Sequence, residues 1–378
     1  MAAAQNRHYV EIVSKDWSDA YVPSETNGKS FKDCICEAFE IPKKDNYTYK
    51  AHGQTTLDIT QKAIDGKRKN SLHNWYHDEE GQKASEPPSL PEIEAYIALF
   101  DPSVSLPKAL NGFKANAKAN TIRSAVATHL TSRFLNKTQG LLPSKKDRTH
   151  KNPYLSMWAY SCRELEWAGP WPNTRYTKIS HHILPIFYHH FGCVVPSYAA
   201  LWVIAKLAQP ARPSKEPVRP ILDIGSGNGY WTFMLRNLPL EGNMLPLKVY
   251  PVDNAASEYR FDWLQDAPTI KMDGLNFLKN YSEGGFQTNG GKGCVLLLVY
   301  PQATGDFTES LLRAFSGDTI VVAGTQTQNG FTAFQEEMVD EWIEKNLPEF
   351  GLTLRMPLPS FAGKDEALFV FQRKKVEE

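Results

Sequence analysis

One stretch limits the fold more than any other: Pro220-Ile-Leu-Asp-Ile-Gly-Ser-Gly-Asn-Gly-Tyr-Trp231. Pro220 to Ile224 is a short apolar run, the pattern of a buried strand, and Thr232 to Leu238 regains helical spacing. Between them Gly225, Gly227 and Gly229 occupy every second position. Glycine permits positive φ and lets backbone amides approach a ligand closely. Amides at the following helix N-terminus favour a carboxylate or phosphate. The stretch therefore predicts a strand-turn-helix unit of an α/β sheet with a nucleotide-like ligand at the turn.

The spacing narrows the ligand. A dinucleotide fingerprint is G-x-G-x-x-G with an acid about 20 residues on. Here the turn is G-x-G-x-G, with Ser226 and Asn228 between the glycines and Asp223 two residues before the first. Lys248 to Val252 reads as a second strand ending in Asp253-Asn254. A carboxylate at such an edge, beside the glycine turn, can accept both ribose hydroxyls of a nucleoside. Thr269 to Met272 reads as a third strand ending at Asp273-Gly274, and Cys294 to Val299 as a fourth ending in Tyr300-Pro301-Gln302. A helix over Phe307 to Phe315 leads to a fifth strand, Thr319 to Ala323. Leu352 to Met356 and Ala367 to Gln372 form a closing antiparallel hairpin. Ligands of open α/β sheets sit at the carboxyl ends of strands, where the order reverses.

This series resembles the class I S-adenosylmethionine-dependent methyltransferases over residues 190 to 373. The resemblance implies a Rossmann-like, seven-stranded α/β sheet with helices on both faces, here residues 197–378. It implies S-adenosyl-L-methionine held by Asp223, Gly225, Ser226, Gly227, Asn228, Gly229, Asp253, Asn254, Asp273 and Gly274. Asp273 would accept from the adenine amino group and Leu275 would line the base. A looser resemblance links Val195-Pro196-Ser197, Gly229-Tyr230-Trp231 and Tyr300-Pro301 to a subgroup with an aromatic-Pro-Pro-Tyr turn after strand four; Gln302 stands where that subgroup has its second proline. Tyr300, Pro301 and Gln302 are then the residues nearest the transferred methyl: Tyr300 as a pocket wall, Gln302 as a hydrogen-bonding group for a substrate amide or ring edge. A catalytically silent methyltransferase-fold scaffold and, less favoured by the glycine spacing, a nicotinamide-dependent oxidoreductase are the alternatives.

Residues 1–150 read as a mostly helical accessory region. Leu90 to Phe100 forms an amphipathic helix starting at Pro91, and Ile122, Val126, Leu130 and Phe134 make an apolar stripe on another. Residues 139 to 153 are the best linker. An aromatic-rich cap follows over 151–196, with Tyr154, Trp158, Tyr160, Trp167, Trp171, Tyr176 and Tyr188. These aromatics either stack a planar substrate or seal cap against core, and sealing is favoured. The doublets His181-His182 and His189-His190 belong to the cap, where one histidine could act as a general base. A metal site needs about four convergent ligands; Cys34-Ile-Cys36 and the solitary His52 supply no such spacing, and no metal is expected.

The chain of 378 residues carries 42 basic and 42 acidic side chains, yet unevenly. Residues 102–151 hold ten Lys or Arg against one acid, Asp147. Such a segment can contact RNA through phosphate neutralisation, or can be a solvated face paired with acids elsewhere. The substrate expected is a small molecule or RNA rather than a protein. No apolar stretch is long enough to span a bilayer, and the first residues carry no apolar signal core. Five scattered cysteines suit a reducing compartment, so the expected location is the cytoplasm, with the nucleus as the alternative. Oligomeric state is not legible.

Overall fold

Short, largely aliphatic runs align into one mixed sheet. The structure, a computed structural model, describes residues 17–51, 53–66, 75–144, 148–177, 181–212, 215–242, 244–265, 267–303, 305–327 and 332–375. The sheet has eight strands: β1 (Leu135–Asn136), β2 (Ile221–Ile224), β3 (Val249–Asp253), β4 (Ile270–Lys271), β5 (Val295–Val299), β6 (Thr319–Thr325), β7 (Phe350–Pro357) and β8 (Glu366–Arg373). Their order across the sheet is β1-β7-β8-β6-β5-β2-β3-β4. Neighbouring strands from β6 to β4 pair in parallel, while β8 runs antiparallel to both β6 and β7. The order reverses at β2, which lies between β5 and β3.

The expected seven strands are all present, but the sheet does not stop at seven. β1, from the helical region ahead of the core, pairs antiparallel with β7 through Leu354–Asn136 and Arg355–Leu135. The Lys137 amide donates to Thr353 O at 2.8 Å, extending the pairing. Physically, β7 would otherwise expose a row of unpaired backbone groups, and a covering strand removes that edge. Two residues give too short a pattern to read as a strand in sequence.

Helices cover both faces. Ahead of β2 lie α1 (Phe31–Ala38), α2 (Leu57–Gly66), α3 (Leu90–Ile97), α4 (Leu106–Ala115), α5 (Ile122–Arg133), α6 (Pro153–Glu164), α7 (Ile183–Phe191) and α8 (Tyr198–Ala208). The sheet's own connections supply α9 (Tyr230–Arg236), α10 (Gly274–Asn280), α11 (Phe307–Ala314) and α12 (Val339–Asn346). Alternation along β8 shows the two sides. Ala367, Phe369 and Phe371 join Phe277, Leu311 and Trp342 in one buried cluster. Leu368 and Val370 face the other, which continues into Phe31, Tyr96, Trp158 and Phe187. This larger cluster runs from Trp17 to Val370, so the helical region and the sheet share a core.

The joint between them is the loop from β7 to β8. The indoles of Trp158 and Trp167 both donate to Ser360 O at 2.9 Å. The Ser360 amide donates to Tyr96 Oη at 3.3 Å. Asp365, fully buried, lies 2.7 Å from His129 Nε2 and accepts from Gln326 Nε2 at 2.6 Å. A loop that would ordinarily face water is thus pinned into the aromatic cap.

Candidate functional site

At the carboxyl ends of β2, β3 and β5, beside the reversal, opens a cavity of about 1470 Å³. That exceeds the roughly 300–1,000 Å³ of a site for one small ligand. It has two ends. Gly225, Asp253, Asn254, Met272 and Gly274 line one; Arg175, Tyr176, Thr177, His181, Gly363 and Lys364 line the other. Tyr300, Pro301 and Gln302, at the tip of β5, are between them.

The first end is built by the glycine turn. The amides of Gly225 and Ser226 both donate to Val252 O, at 2.7 and 3.0 Å, which ties the turn to β3. Gly227 has φ +58°, and a Cβ there would stand 2.8 Å from the Tyr259 hydroxyl. Asp253 accepts from the Gly227 amide at 2.9 Å and from the Ala255 amide at 2.7 Å. A carboxylate offers about four acceptor positions, so two remain for a ligand's hydroxyls. Asn254 caps the next turn by accepting from the Ala256 amide at 2.9 Å.

Asp223 lies beneath the turn, fully buried and outside the cavity lining. It accepts from the Thr232 hydroxyl at 2.6 Å. Burial pushes its carboxyl up to about 7, a rise that nearby Asp253 reinforces and the Thr232 hydrogen bond opposes. Its Oδ1, together with Ser226 Oγ and Asn228 Nδ2, is buried without a hydrogen-bond partner. Ser226, Gly227, Asn228 and Gly229 form the turn but do not line the cavity surface.

Asp273 is placed differently from the expectation that it meets a base. It is the N-cap of α10, accepting from the Asn276 amide at 2.9 Å, and neither it nor Leu275 lines the cavity. Met272 and Gly274 on either side do. Gly274 is obligatory for close approach, since a Cβ would come within 2.4 Å of Ile224 Cγ2.

Tyr300 sits at φ +49°, the left-handed region that non-glycine residues rarely adopt. Its amide donates to Ala323 O at 2.7 Å, and Pro301 O accepts from the Ala333 amide at 2.8 Å, so both sides of the bend are held. Burial pushes the Tyr300 phenol well above its ordinary value, which suits a wall and not a base. The Tyr188 ring faces it with centroids 6.4 Å apart.

Of the cap histidines, His181 and His189 reach the cavity. His189 Nε2 lies 3.2 Å from the Lys50 amide, and its Nδ1 3.3 Å from the Tyr47 hydroxyl. His190 stacks on Phe39 at 4.1 Å and lies 3.2 Å from the Tyr49 hydroxyl. His182 meets α2 through its carbonyl, which accepts from the Thr60 hydroxyl at 3.1 Å. The cap aromatics divide: Tyr154, Trp158, Tyr160 and Trp167 are buried as a seal, while Tyr176 and Tyr188 line the cavity.

In the basic segment, three arginines are committed inside the fold. Arg123 donates to Phe113 O, Arg133 to Gln326 O, and Arg148 pairs with Glu241 at 3.1 Å. Lys108, Lys114, Lys118 and Lys137 are exposed. Lys145, Lys146, Asp147 and His52 fall outside the described residues, as do residues 1–16. Among the described residues no group of three or more His, Cys, Asp or Glu is arranged to hold a metal. No helix among them is long and apolar enough to cross a membrane. All five cysteines are free, with Cys193 on the cavity wall.

Sequence reasoning missed Tyr259, Met272, Arg175, Gly363 and Lys364. Met272 was within reach, as the last residue of a strand already read. The others come from loops that carry no periodicity. No protein-family model matches this sequence, and none of the curated proteins is significantly similar to it.

Proposed function

We propose that this chain is a class I, Rossmann-like S-adenosyl-L-methionine-dependent methyltransferase acting on a small molecule or RNA. The observation that carries the reading is the junction of the glycine turn with Asp253 at the order reversal, opening on a cavity too large for one ligand. The strand order, with β8 antiparallel between β6 and β7, supports it.

The residues present fit such a cofactor. Gly225, Asp253, Asn254, Met272 and Gly274 all line the cavity beside the turn. Gly227 and Gly274 let the backbone pack closely on Tyr259 and Ile224, where a Cβ would clash. Asp253 retains free lone pairs at the edge where a ribose would lie. Gly225, Asp253, Asn254, Met272 and Gly274 would hold the cofactor, with the rest of the turn to Gly229 fixing their positions. When bound, it supplies an electrophilic methyl group and a neutral thioether leaving group.

The chain's own work is then alignment and exclusion. Tyr300 and Tyr188 wall the middle of the cavity, and the strained Tyr300 backbone fixes where that wall stands. Gln302 lines the cavity beside them. Orientation of this kind supplies roughly 7–11 kcal/mol of a barrier. Arg175, Tyr176, Thr177, His181, Tyr188, Cys193 and the loop at 362–364 line the cavity from the other side.

The test is incubation with methyl-labelled S-adenosylmethionine and cell extract, fractionated into RNA, protein and small molecules, with the Gly227→Arg protein as blank. Label above blank in the small-molecule or RNA fraction is expected. An absence of S-adenosylhomocysteine binding in calorimetry on the unaltered protein would sink the reading.

A further inference from the structure

The end of the cavity farthest from the glycine turn has its own chemistry. Counting strands from β2 through β5 and β6 to β8 at ~4.8 Å each places the Ala362–Lys364 loop about 14 Å from the turn, and about 10 Å from Tyr300. The loop is brought there tightly: Gly363 adopts φ +76°, and a Cβ on it would stand 2.8 Å from Thr177 Cγ2. Strand β8, which starts beside it, runs antiparallel, so its first residue, Glu366, lies opposite Thr325 at the carboxyl end of β6.

Two residues of this lining, His181 and Lys364, carry N–H donors. The Leu184 amide donates to His181 Nδ1 at 3.1 Å. A neutral imidazole that accepts at Nδ1 carries its proton on Nε2. His181 is 2% exposed and its Nε2 has no hydrogen-bond partner. Burial and the nearby charge of Lys364 lower its pKa to about 3, so it remains a neutral N–H donor and is no general base. Lys364 itself lines the cavity and makes no ion pair with a described residue. Its charge acts on Glu366, but Glu366 is buried below the lining. Burial pushes that carboxyl up to about 8, a rise that Lys364 opposes, and burial lowers the pKa of the Lys364 ammonium, a shift that Glu366 opposes. Arg175 adds a second cation to the same wall, its guanidinium stacked on Tyr176 at 4.7 Å.

We propose that this end binds the oxyanion of a small-molecule substrate, with Lys364 Nζ and the His181 Nε2–H as its two donors and the aromatic rings of Tyr176, Tyr188 and Tyr300 flanking the body of the molecule. The proposal rests on the methyltransferase reading for the word substrate, but the anion site stands on its own observations. It gives the substrate a length: the anionic group and the methyl-accepting atom are separated by about two strand spacings, on the order of 10 Å. It also names the class, an acid whose far end carries the nucleophile. Charge-assisted hydrogen bonds are about twice as strong as neutral ones and are bidentate-capable on carboxylate and phosphate alike.

The experiment is isothermal calorimetry on the full chain with a panel of aryl and alkyl carboxylates, each against its own amide, and with alkyl phosphates and inorganic phosphate. S-adenosylhomocysteine is titrated in parallel. At least one acid is expected to bind at least tenfold more tightly than its amide. Lys364→Met is expected to abolish that preference, His181→Phe to weaken it about tenfold, and Lys364→Arg to keep it, with S-adenosylhomocysteine affinity unchanged in all three. Melting curves confirm that each variant folds. Preference for phosphates over carboxylates would assign the oxyanion as phosphate. Equal binding of every acid and amide, no binding by any acid, or a preference that survives Lys364→Met overturns the proposal. If the anion preference holds while S-adenosylhomocysteine fails to bind, the methyltransferase reading falls and the anion site remains; the reverse result sinks the anion site alone.

Discussion

The two ends of the cavity are built in opposite ways. The glycine-turn end comes from consecutive strand ends of one sheet: Gly225 follows β2, Asp253 ends β3, and Gly274 follows β4. Its geometry is local, set by glycine conformations and backbone hydrogen bonds. The far end is assembled from segments nearly two hundred positions apart: Thr177 and His181 from the cap, Gly363 and Lys364 from the β7–β8 loop. It is held by buried indole and tyrosine hydrogen bonds. On the proposed reading, the first end receives a shared, nucleoside-like ligand and the second selects what is brought to it. A generic site can be written in a short motif, whereas a selective one is written in tertiary contacts.

If that contrast is right, a change at one end leaves the other intact. The largest effect belongs to Gly227→Arg. A side chain there meets Tyr259 at once and fills the turn, so S-adenosylhomocysteine binding is expected to vanish in calorimetry while oxyanion binding persists. Loss of both would break the separation.

Next comes pH. Glu366 has a carboxyl raised to about 8 in the folded chain, against an ordinary value near 4.5. Between those values the folded state holds a proton that the unfolded state has released, so stability falls as pH rises through the window, by about 1.4 kcal/mol per unit at most. Asp223, raised to about 7, adds a loss of the same sign at lower pH. Denaturant titrations at pH 6 and pH 8 are expected to show the chain weaker at pH 8 by about 4 kcal/mol, the larger share from Glu366. Glu366→Gln should remove most of that difference. An unchanged slope in the variant would mean that Glu366 is already ionised at pH 6.

Asp253→Ala sharpens the comparison from the other side. It removes an acceptor of two backbone amides and the carboxylate proposed to meet a ribose. Cofactor affinity is expected to fall about tenfold to thirtyfold, or about 1.4–2 kcal/mol, with the far end unaltered.

The smallest effect is Trp158→Phe, which keeps the ring and deletes one of two donors to Ser360 O. The expected cost is about 1 kcal/mol in chemical denaturation. A further Trp167→Phe should cost more than a second equal increment, because the carbonyl is then left buried with no donor.

How much was legible follows the same division. The strands announced themselves by apolar runs ending in Asp253, Asp273 and Tyr300, and the structure places those runs in one sheet. β1 was not legible, because two residues have no period and their role is to cover an edge. Asp273 was read as ligand-facing, yet an Asp before a helix is as well suited to capping, and capping is what it does. The far end was least legible. Ala362-Gly-Lys-Asp-Glu366 reads as an ordinary polar hairpin turn. Nothing local says that Asp365 and Glu366 are buried, because their burial depends on His129, Gln326 and the aromatic cap. The histidine doublets were visible, but which nitrogen of His181 holds a proton is decided by one amide three residues later.

The double indole contact at Ser360 also sets a schedule. Trp158 and Trp167 emerge in synthesis some two hundred residues before the carbonyl they donate to. Closing so long a loop is slow and must precede any reward from the contact. The glycine turn can be formed as soon as β2 to β5 have paired, but the far wall must wait for the final hairpin. During that interval the cap's tryptophans and tyrosines have no sheet loop to cover them. Such surface on a half-made chain is a target for chaperones. A nascent chain therefore passes through a stage in which one wall of the cavity is built and the other is still missing.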